Sequence, residues 1–430
     1  MSTAGFRATM AAISASTSAR NFSLQAHGGD MLAKNPLLLV LVITAGILNY
    51  VDRQLIAVLK PILARDLGWS DADYGDLAAL FQFGAVAAFP LVGWLVDRLG
   101  PRLSNLVAVG SWSLAAASHG LVVGFGAFSL ARLALGATEA MGTPTAVKTL
   151  AALFDSRGRA LALGLMNGAS SVGAIVTPLA VPALALIYGW RICFLGVGAI
   201  GMVWCAAWLY ASRRLTPSAP ADETDGAREK DSWRLVLADR ATWALVVAKV
   251  LSDQAWWLLL FWLPDLFHRM FALEGGALGL PVACIYACAA AGSFVGGAAS
   301  SLLWRQREVG VARRRVMTVS ALAAAVMPLA AFTDQLWQAT ALLGLVLAAH
   351  QSFSVNLFAT LTDAVPAARV GRVTALGALC GNLGGMALLA ATGRALAAGS
   401  GYLPILLASA CAYLMAPVAL RLLATRVHFP

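Results

Sequence analysis

Along the chain, long unbroken apolar blocks alternate with short polar breaks. A run of 18 or more apolar residues is long enough to cross a bilayer as a helix. The pattern predicts twelve such spans, over 37–59, 76–97, 104–125, 128–151, 160–186, 190–211, 241–263, 278–304, 316–332, 336–361, 372–396 and 402–424. The longest polar interruption runs from Arg213 to Arg240 and contains TPSAPADETDGAREKD. Its proline, glycine and charge content reads as a flexible linker. It leaves six spans on either side, the layout of a two-bundle secondary transporter. The expected organisation is therefore an all-α membrane protein: a tail over 1–36, a six-helix bundle over 37–212, a linker over 213–240, a second six-helix bundle over 241–425, and a tail over 426–430.

Composition sharpens this. The 430 residues are 60% hydrophobic and only 12% charged, with a mean hydropathy of +0.76. Soluble domains have about 45–50% apolar and about 25% charged residues, so a soluble protein is excluded. Residues 1–36 are rich in Ser and Ala and lack the apolar core of a secretory signal. A disordered cytoplasmic tail is expected there, with Met1 and Met31 both open as starting points.

The 31 Lys and Arg against 21 Asp and Glu give a net charge of +10. The basic residues cluster between apolar blocks, with no stripe of interleaved aromatics, which argues against nucleic acid. Arg98, Arg102, Arg157, Arg159, Arg213, Arg214, Arg305, Arg307, Arg313, Arg314, Arg315, Arg369 and Arg372 all fall in even-numbered loops. The odd-numbered loops hold little beyond Lys60, Arg65, Arg191 and Arg269. Under the positive-inside rule both termini are expected in the cytoplasm. The six cysteines lie in apolar runs with no histidine or carboxylate beside them, so they read as packing residues and no metal site is expected.

An ionisable residue in mid-membrane costs about 2.5–3.5 kcal/mol and marks a candidate site. The first half carries Asp52 and Arg53 in ILNYVDRQL, and Arg132 and Glu139 in LARLALGATEAMG. Arg132 and Glu139 are close to two helical turns apart and share a face. Facing inward, they can pair with Asp52 and Arg53. A static cluster of buried ion pairs is the competing reading, yet such pairs are often no more stable than apolar residues of the same size. Arginine also suits bidentate capture of a carboxylate.

The second half carries Lys249 and Asp253, spaced to pair within one helix. Its tenth span holds a polar strip of His350, Gln351, Ser354 and Asn356. Such donors and acceptors suit a hydroxyl-rich ligand, and Trp256 and Trp257 can cover a sugar ring. For His350, packing and ligand contact remain equal alternatives. Between spans two and three, GWLVDRLGPR (Gly93 to Arg102) has glycines for a tight turn, and Asp97 can meet a helix N-terminus or a neighbouring arginine.

GWLVDRLGPR resembles the signature loop of the major facilitator superfamily through Gly93, Asp97, Arg98, Gly100 and Arg102. NYVDRQ followed by DLGWSDADYGDL resembles the first helix and loop of its anion:cation symporter family. VLSDQAWWLLLFWLP and HQSFSVNLFATLTDAVP resemble its hexuronate transporter branch. The resemblance implies proton-coupled uptake of a sugar acid across a bacterial inner membrane, with no cofactor beyond the proton. It implies that Asp52 and Glu139 carry protons and that Arg53 and Arg132 engage the substrate carboxylate. It implies a substrate-site role for Tyr50, and cavity-lining positions for Asn167, His350, Gln351 and Asn356. Two departures from the family stand out: Ala85 replaces a tyrosine of the second helix, and Ala378 lacks a side-chain amide, while Asn382 is retained.

The expected partners are a small carboxylate and the lipid bilayer, and the expected form is a monomer. A proton-coupled exporter of a drug or metabolite shares the same fold, although paired arginines favour an anionic ligand. A non-transporting membrane receptor is the alternative of another class. No nucleophile elbow, metal cluster or phosphate loop occurs in a polar segment, so an enzyme is not expected.

Overall fold

A computed structural model describes residues 36–154, 156–214, 232–304, 308–365 and 367–423. The tails and most of the central linker lie outside the described residues. Thirteen helices and three short 3-10 turns make up the described chain. In the first half these are α1 (Pro36–Leu67), α2 (Asp71–Ser118), α3 (Phe125–Glu139), α4 (Gly142–Leu153), α5 (Ser156–Tyr188) and α6 (Trp190–Ala211). A short α7 (Ser232–Ala238) leads into the second half. There follow α8 (Arg240–Phe271), α9 (Gly279–Trp304), α10 (Val309–Ala324), α11 (Leu336–Ala364), α12 (Ala367–Ala397) and α13 (Leu403–Leu423).

Ten of these stretches are long and apolar enough to span a membrane. The 48-residue α2 holds two passes, because Gly100 breaks it with a left-handed φ of 66° ahead of Pro101. Helices α3 and α4 together make another. They are split near Pro144, whose ring has no N–H for the preceding turn. The twelve expected passes are recovered in this way. The α2 start is fixed by a capping box: Ser70 Oγ accepts from the Asp73 amide, and the Asp73 carboxylate accepts from the Ser70 amide.

Several boundaries differ from the hydropathy reading. Helix α1 runs to Leu67 rather than 59, and α8 to Phe271 rather than 263. Both extensions carry charged residues, Lys60 in α1 and Asp265 with Arg269 in α8. Those charges end an apolar run in sequence, but they are held in the fold by pairing across helices. The span expected over 316–332 is α10 followed by a 3-10 turn, Met327–Phe332. Its basic cluster is helical, and Arg313 pairs with Asp363 of α11.

Within the first half, α2 packs on α3 and α6, and α1 on α5 and α6. Within the second, α9 packs on α11, and α8 on α12 and α13. The halves meet where α12 lies against α2, α9 against α5, and α1 against α8. Outward-facing positions remain apolar: Leu114, Phe294 and Val319 are all largely exposed. This belt matches lipid, where helices associate through packing and polar contacts rather than through hydrophobic burial. We call the end of the bundle where α1 begins the near face, and the end where α1 finishes the far face.

Candidate functional site

Helix α1 presents Asn49, Tyr50, Asp52 and Arg53 at mid-depth. Arg53 donates from Nε and an Nη to Glu139 Oε2, at 3.2 and 3.0 Å. The same Nη also reaches Asn49 Oδ1 at 3.3 Å. The rings of Tyr50 and Phe81 flank the guanidinium, at 5.2 and 5.4 Å. The pair is asymmetric: the Arg53 side chain keeps 17% exposure and the Glu139 side chain 1%. An anion arriving from solvent therefore meets the arginine, with the acid behind it.

The other two charges do not complete a second pair. Asp52 is buried and its Oδ1 has no partner. Arg132 is fully buried, about 10 Å along α3 from Glu139. Its Nε donates to His119 Nε2 at 3.0 Å, while both Nη groups lack a partner. His119 stands just past the end of α2, with Nδ1 2.8 Å from the Ala115 carbonyl. That contact assigns the proton to Nδ1 and leaves Nε2 as the acceptor. Phe194 stacks on the imidazole at 5.1 Å and Phe128 meets it edge-on at 4.7 Å. Sequence reasoning missed His119, although a histidine closing an apolar run is a signal of the same kind as the four charges.

A cavity of about 170 Å³ opens beside Arg53 and extends toward the near face. A stripe of α1 lines it, Val42, Ala45, Gly46, Asn49, Tyr50 and Arg53, at the spacing of one helical face. Asn105 and Trp112 come from α2, Thr143 and Thr145 from α4, and Ser170 from α5. Of the candidate site residues, Tyr50 and Arg53 line this cavity; Asp52, Arg132 and Glu139 are buried and do not line it. The side chain of Asn167 lies outside the described residues.

The second-half candidates are mostly engaged in packing. Asn356 donates to the carbonyls of Gly296 and Ser352, at 3.1 and 2.8 Å, which ties α11 to α9. His350 stacks on Trp256 at 5.6 Å, with Tyr413 Oη 3.3 Å from its Nδ1. Trp257 is buried and its Nε1 has no partner. Gln351 and Asn382 are partly buried. Lys249 and Asp253 form the pair their spacing predicts, at 2.7 Å.

Lys60, assigned to a loop by hydropathy, is instead a buried residue of α1 near the far face. Its Nζ meets Asp71 at 2.7 Å and Asp265 of α8 at 2.5 Å. Arg269 bridges the same two acids, at 2.5 and 2.8 Å. Tyr402 donates to Asp265 at 2.5 Å. Tyr74 Oη donates to the Phe261 carbonyl at 2.6 Å, and Arg394 pairs with Asp76 at 2.9 Å. These contacts latch the two halves together about 10 Å beyond Arg53 along α1.

In the near-face loop, Asp97 accepts from Lys148 of α4 at 2.8 Å, a lysine where an arginine was expected. Arg98 lies over the Trp94 ring, and the Arg102 carbonyl accepts from Trp208 Nε1. Gly93 has open space around it, and Gly100 makes the turn. Among the described residues no group of three or more His, Cys, Asp or Glu side chains is placed to hold a metal.

The sequence profile of the Major Facilitator Superfamily matches residues 42–387. A protein of Escherichia coli (strain K12) named "Probable L-galactonate transporter" is 29% identical over 315 residues, covering 70% of this chain and 68% of its own. The hexuronate transporter of the same strain is 25% identical over 301 residues, covering 66% of this chain and 70% of its own. Among solved structures, a bacterial homologue of the human lysosomal transporter Spinster, in an inward-facing and occupied conformation, superposes with a TM-score of 0.72. It is 19% identical, and the match covers 90% of this chain and 96% of that one.

Proposed function

The chain belongs to the Major Facilitator Superfamily, a membrane transporter rather than an enzyme, and we propose that it is a proton-coupled symporter importing a sugar acid. The observation that carries this reading is the Arg53–Glu139 pair, with the arginine open to the cavity and the acid sealed behind it. A substrate carboxylate competes with Glu139 for the Arg53 fork. Deprived of its arginine, a carboxylate in apolar surroundings takes up a proton. Substrate and proton binding are then linked, and each favours the other. Asp52, one residue before Arg53, is the second proton-carrying acid in this scheme. Arg132 offers two unpartnered Nη groups to an anion once it is reached.

The halves over 37–212 and 241–425 rock about the cavity, and the Lys60–Asp265 latch opens to admit substrate from the far side. Arginine placement supports a cytoplasmic near face, with both termini inside and the far face outside a bacterial inner membrane. A monomer suffices, since cavity, arginine and acids come from one chain. Moving one charge across 100 mV is worth about 2.3 kcal/mol. More than one proton per anion would therefore draw on the membrane potential as well as on pH. The substrate class rests on the sugar-acid transporters to which the chain is similar.

The test is reconstitution in proteoliposomes with D-galactonate and D-glucuronate. Accumulation driven by an outward-acidic pH gradient, together with counterflow, is expected. Counterflow without pH-driven accumulation would remove the proton coupling. Neither activity, with other carboxylates carried, would remove the substrate class.

A further inference from the structure

Helix α7 is too short to cross a membrane, yet it turns apolar side chains outward. Trp233 and Leu237 keep 48% and 47% exposure, while Val236 is fully buried. Asp239 separates α7 from α8 with an extended backbone, φ −81° and ψ 121°, so α7 bends away from the span instead of forming its first turn. It packs on α8 and α12, at the near face where α8 begins. Trp243, one turn into α8 and 40% exposed, donates from Nε1 to the Leu237 carbonyl at 2.8 Å. That bond satisfies one of the carbonyls that a helix end leaves open, and it holds the two helices together at the bend.

Four residues apart, Trp233 and Leu237 share one flank of α7. Leu235, also exposed, is turned roughly 160–200° away from them around the helix axis. Through its carbonyl Leu237 touches Trp243, so Trp233, Leu237 and Trp243 make one exposed apolar strip. The strip runs from the outer surface of a membrane span onto the helix at its end, the level at which tryptophan concentrates in membrane proteins.

Two arginines border this strip. Arg234 follows Trp233 on the side of α7 away from Val236, and Arg240 opens α8. Both are exposed, and among the described residues neither is salt-bridged to a carboxylate. An apolar strip at the membrane surface, edged by such cations, fits an anionic lipid. Its acyl chain covers the tryptophans and the leucine, and its phosphate takes the paired donors of a guanidinium. A soluble acidic partner would meet the arginines and leave the apolar strip in water.

We propose that α7 is an interfacial anchor, with Trp233, Leu237 and Trp243 in the near leaflet and Arg234 and Arg240 on the phosphate of an anionic phospholipid. The anchor is independent of the substrate that the transporter carries.

The experiment has two parts. Leu237→Cys and Leu235→Cys, each in a background lacking the six native cysteines, are labelled with an environment-sensitive fluorophore and reconstituted in phosphatidylcholine vesicles containing phosphatidylglycerol. A lipid with a nitroxide high on its acyl chain should quench the label at 237 several-fold more than the label at 235. The headgroup is read from the melting midpoint of native protein in detergent, titrated with phosphatidylglycerol or phosphatidylcholine. Phosphatidylglycerol should raise the midpoint more, and added salt should erase the difference. In the double variant Arg234→Gln/Arg240→Gln, the phosphatidylglycerol concentration for half the rise should increase about tenfold or more. Its midpoint in phosphatidylcholine should stay native, which reports an intact fold. Equal quenching at 235 and 237, or none at either, would overturn the anchor. A rise no larger with phosphatidylglycerol than with phosphatidylcholine, or one unchanged in the double variant, would overturn the headgroup site, the arginines being met by water or by acids of the chain. Inorganic phosphate reproducing the rise would mean an anion site without lipid, and would overturn it as well.

Discussion

Among the described residues no carboxylate is hydrogen-bonded to Arg132; its Nε donates to the His119 imidazole, and its guanidinium lies over the Phe81 ring. His119 accepts from Nε and so fixes the plane of the guanidinium, leaving both Nη groups free. His119→Leu removes that acceptor inside an apolar box. An unsatisfied buried donor costs about 1–3 kcal/mol, so the melting midpoint of the purified protein should fall. His119→Gln, with an amide oxygen as acceptor, should recover most of the loss. Equal midpoints for the two variants would show that the imidazole acts only by shape. Glu139→Gln mimics the protonated acid. It should keep counterflow and lose pH-driven accumulation, and Asp52→Asn asks the same of the second acid. Full accumulation in both would remove these acids from coupling.

At the scale of elements, one turn and one close approach shape the first half. Gly100 turns the chain between the two passes of α2 with φ 66° and ψ 175°, a region essentially reserved for glycine. Gly100→Ala should cost about 1–3 kcal/mol and lower the yield of folded protein in the membrane. Gly136 lets α3 lie against α2, where a Cβ would run into the Phe81 carbonyl. Phe81 flanks Arg53, and Glu139 is one turn from Gly136. Gly136→Ala should therefore push the acid and the aromatic wall apart and impair counterflow. Gly126→Ala, on the same helix with open space around it, should leave counterflow unchanged. Similar behaviour of the two variants would separate helix spacing from site geometry.

For the whole molecule, the far face is held by a few charged residues from both halves. Lys60, Asp71, Asp265 and Arg269 form one network, and Asp265 lies at its centre with Tyr402 as a further donor. Removing one partner of a buried ion pair costs about 3–5 kcal/mol in the state that contains it. Asp265→Asn should thus shift the population toward conformations open at the far face. Its readout is a cysteine at Ala45, which lines the cavity, in a background lacking the six native cysteines. A membrane-impermeant thiol reagent added from the far side should label it several-fold faster in Asp265→Asn. An unchanged labelling rate would mean that packing, not this latch, keeps the far face shut.

The sequence by itself determined the twelve spans, the division into two halves and the charged residues of the first half. Apolar run length and loop charge are one-dimensional consequences of the bilayer, so each is readable without tertiary contacts. It also marked Arg53 and Glu139, because an ion at mid-depth stands out against apolar neighbours. Only the tertiary structure decided which charges meet. Arg53 took Glu139, Arg132 went to a histidine from another helix, and Lys60 left its expected loop for an acid 205 residues away. Partner choice depends on helix rotation and depth, which a hydropathy pattern does not encode. The same holds for the polar strip of α11: its spacing was visible, but Asn356 turned to the backbone of α9. Trp112 and Thr145 carry no charge and interrupt no apolar run, so their place on the cavity wall emerged only when α2 and α4 were packed against α1.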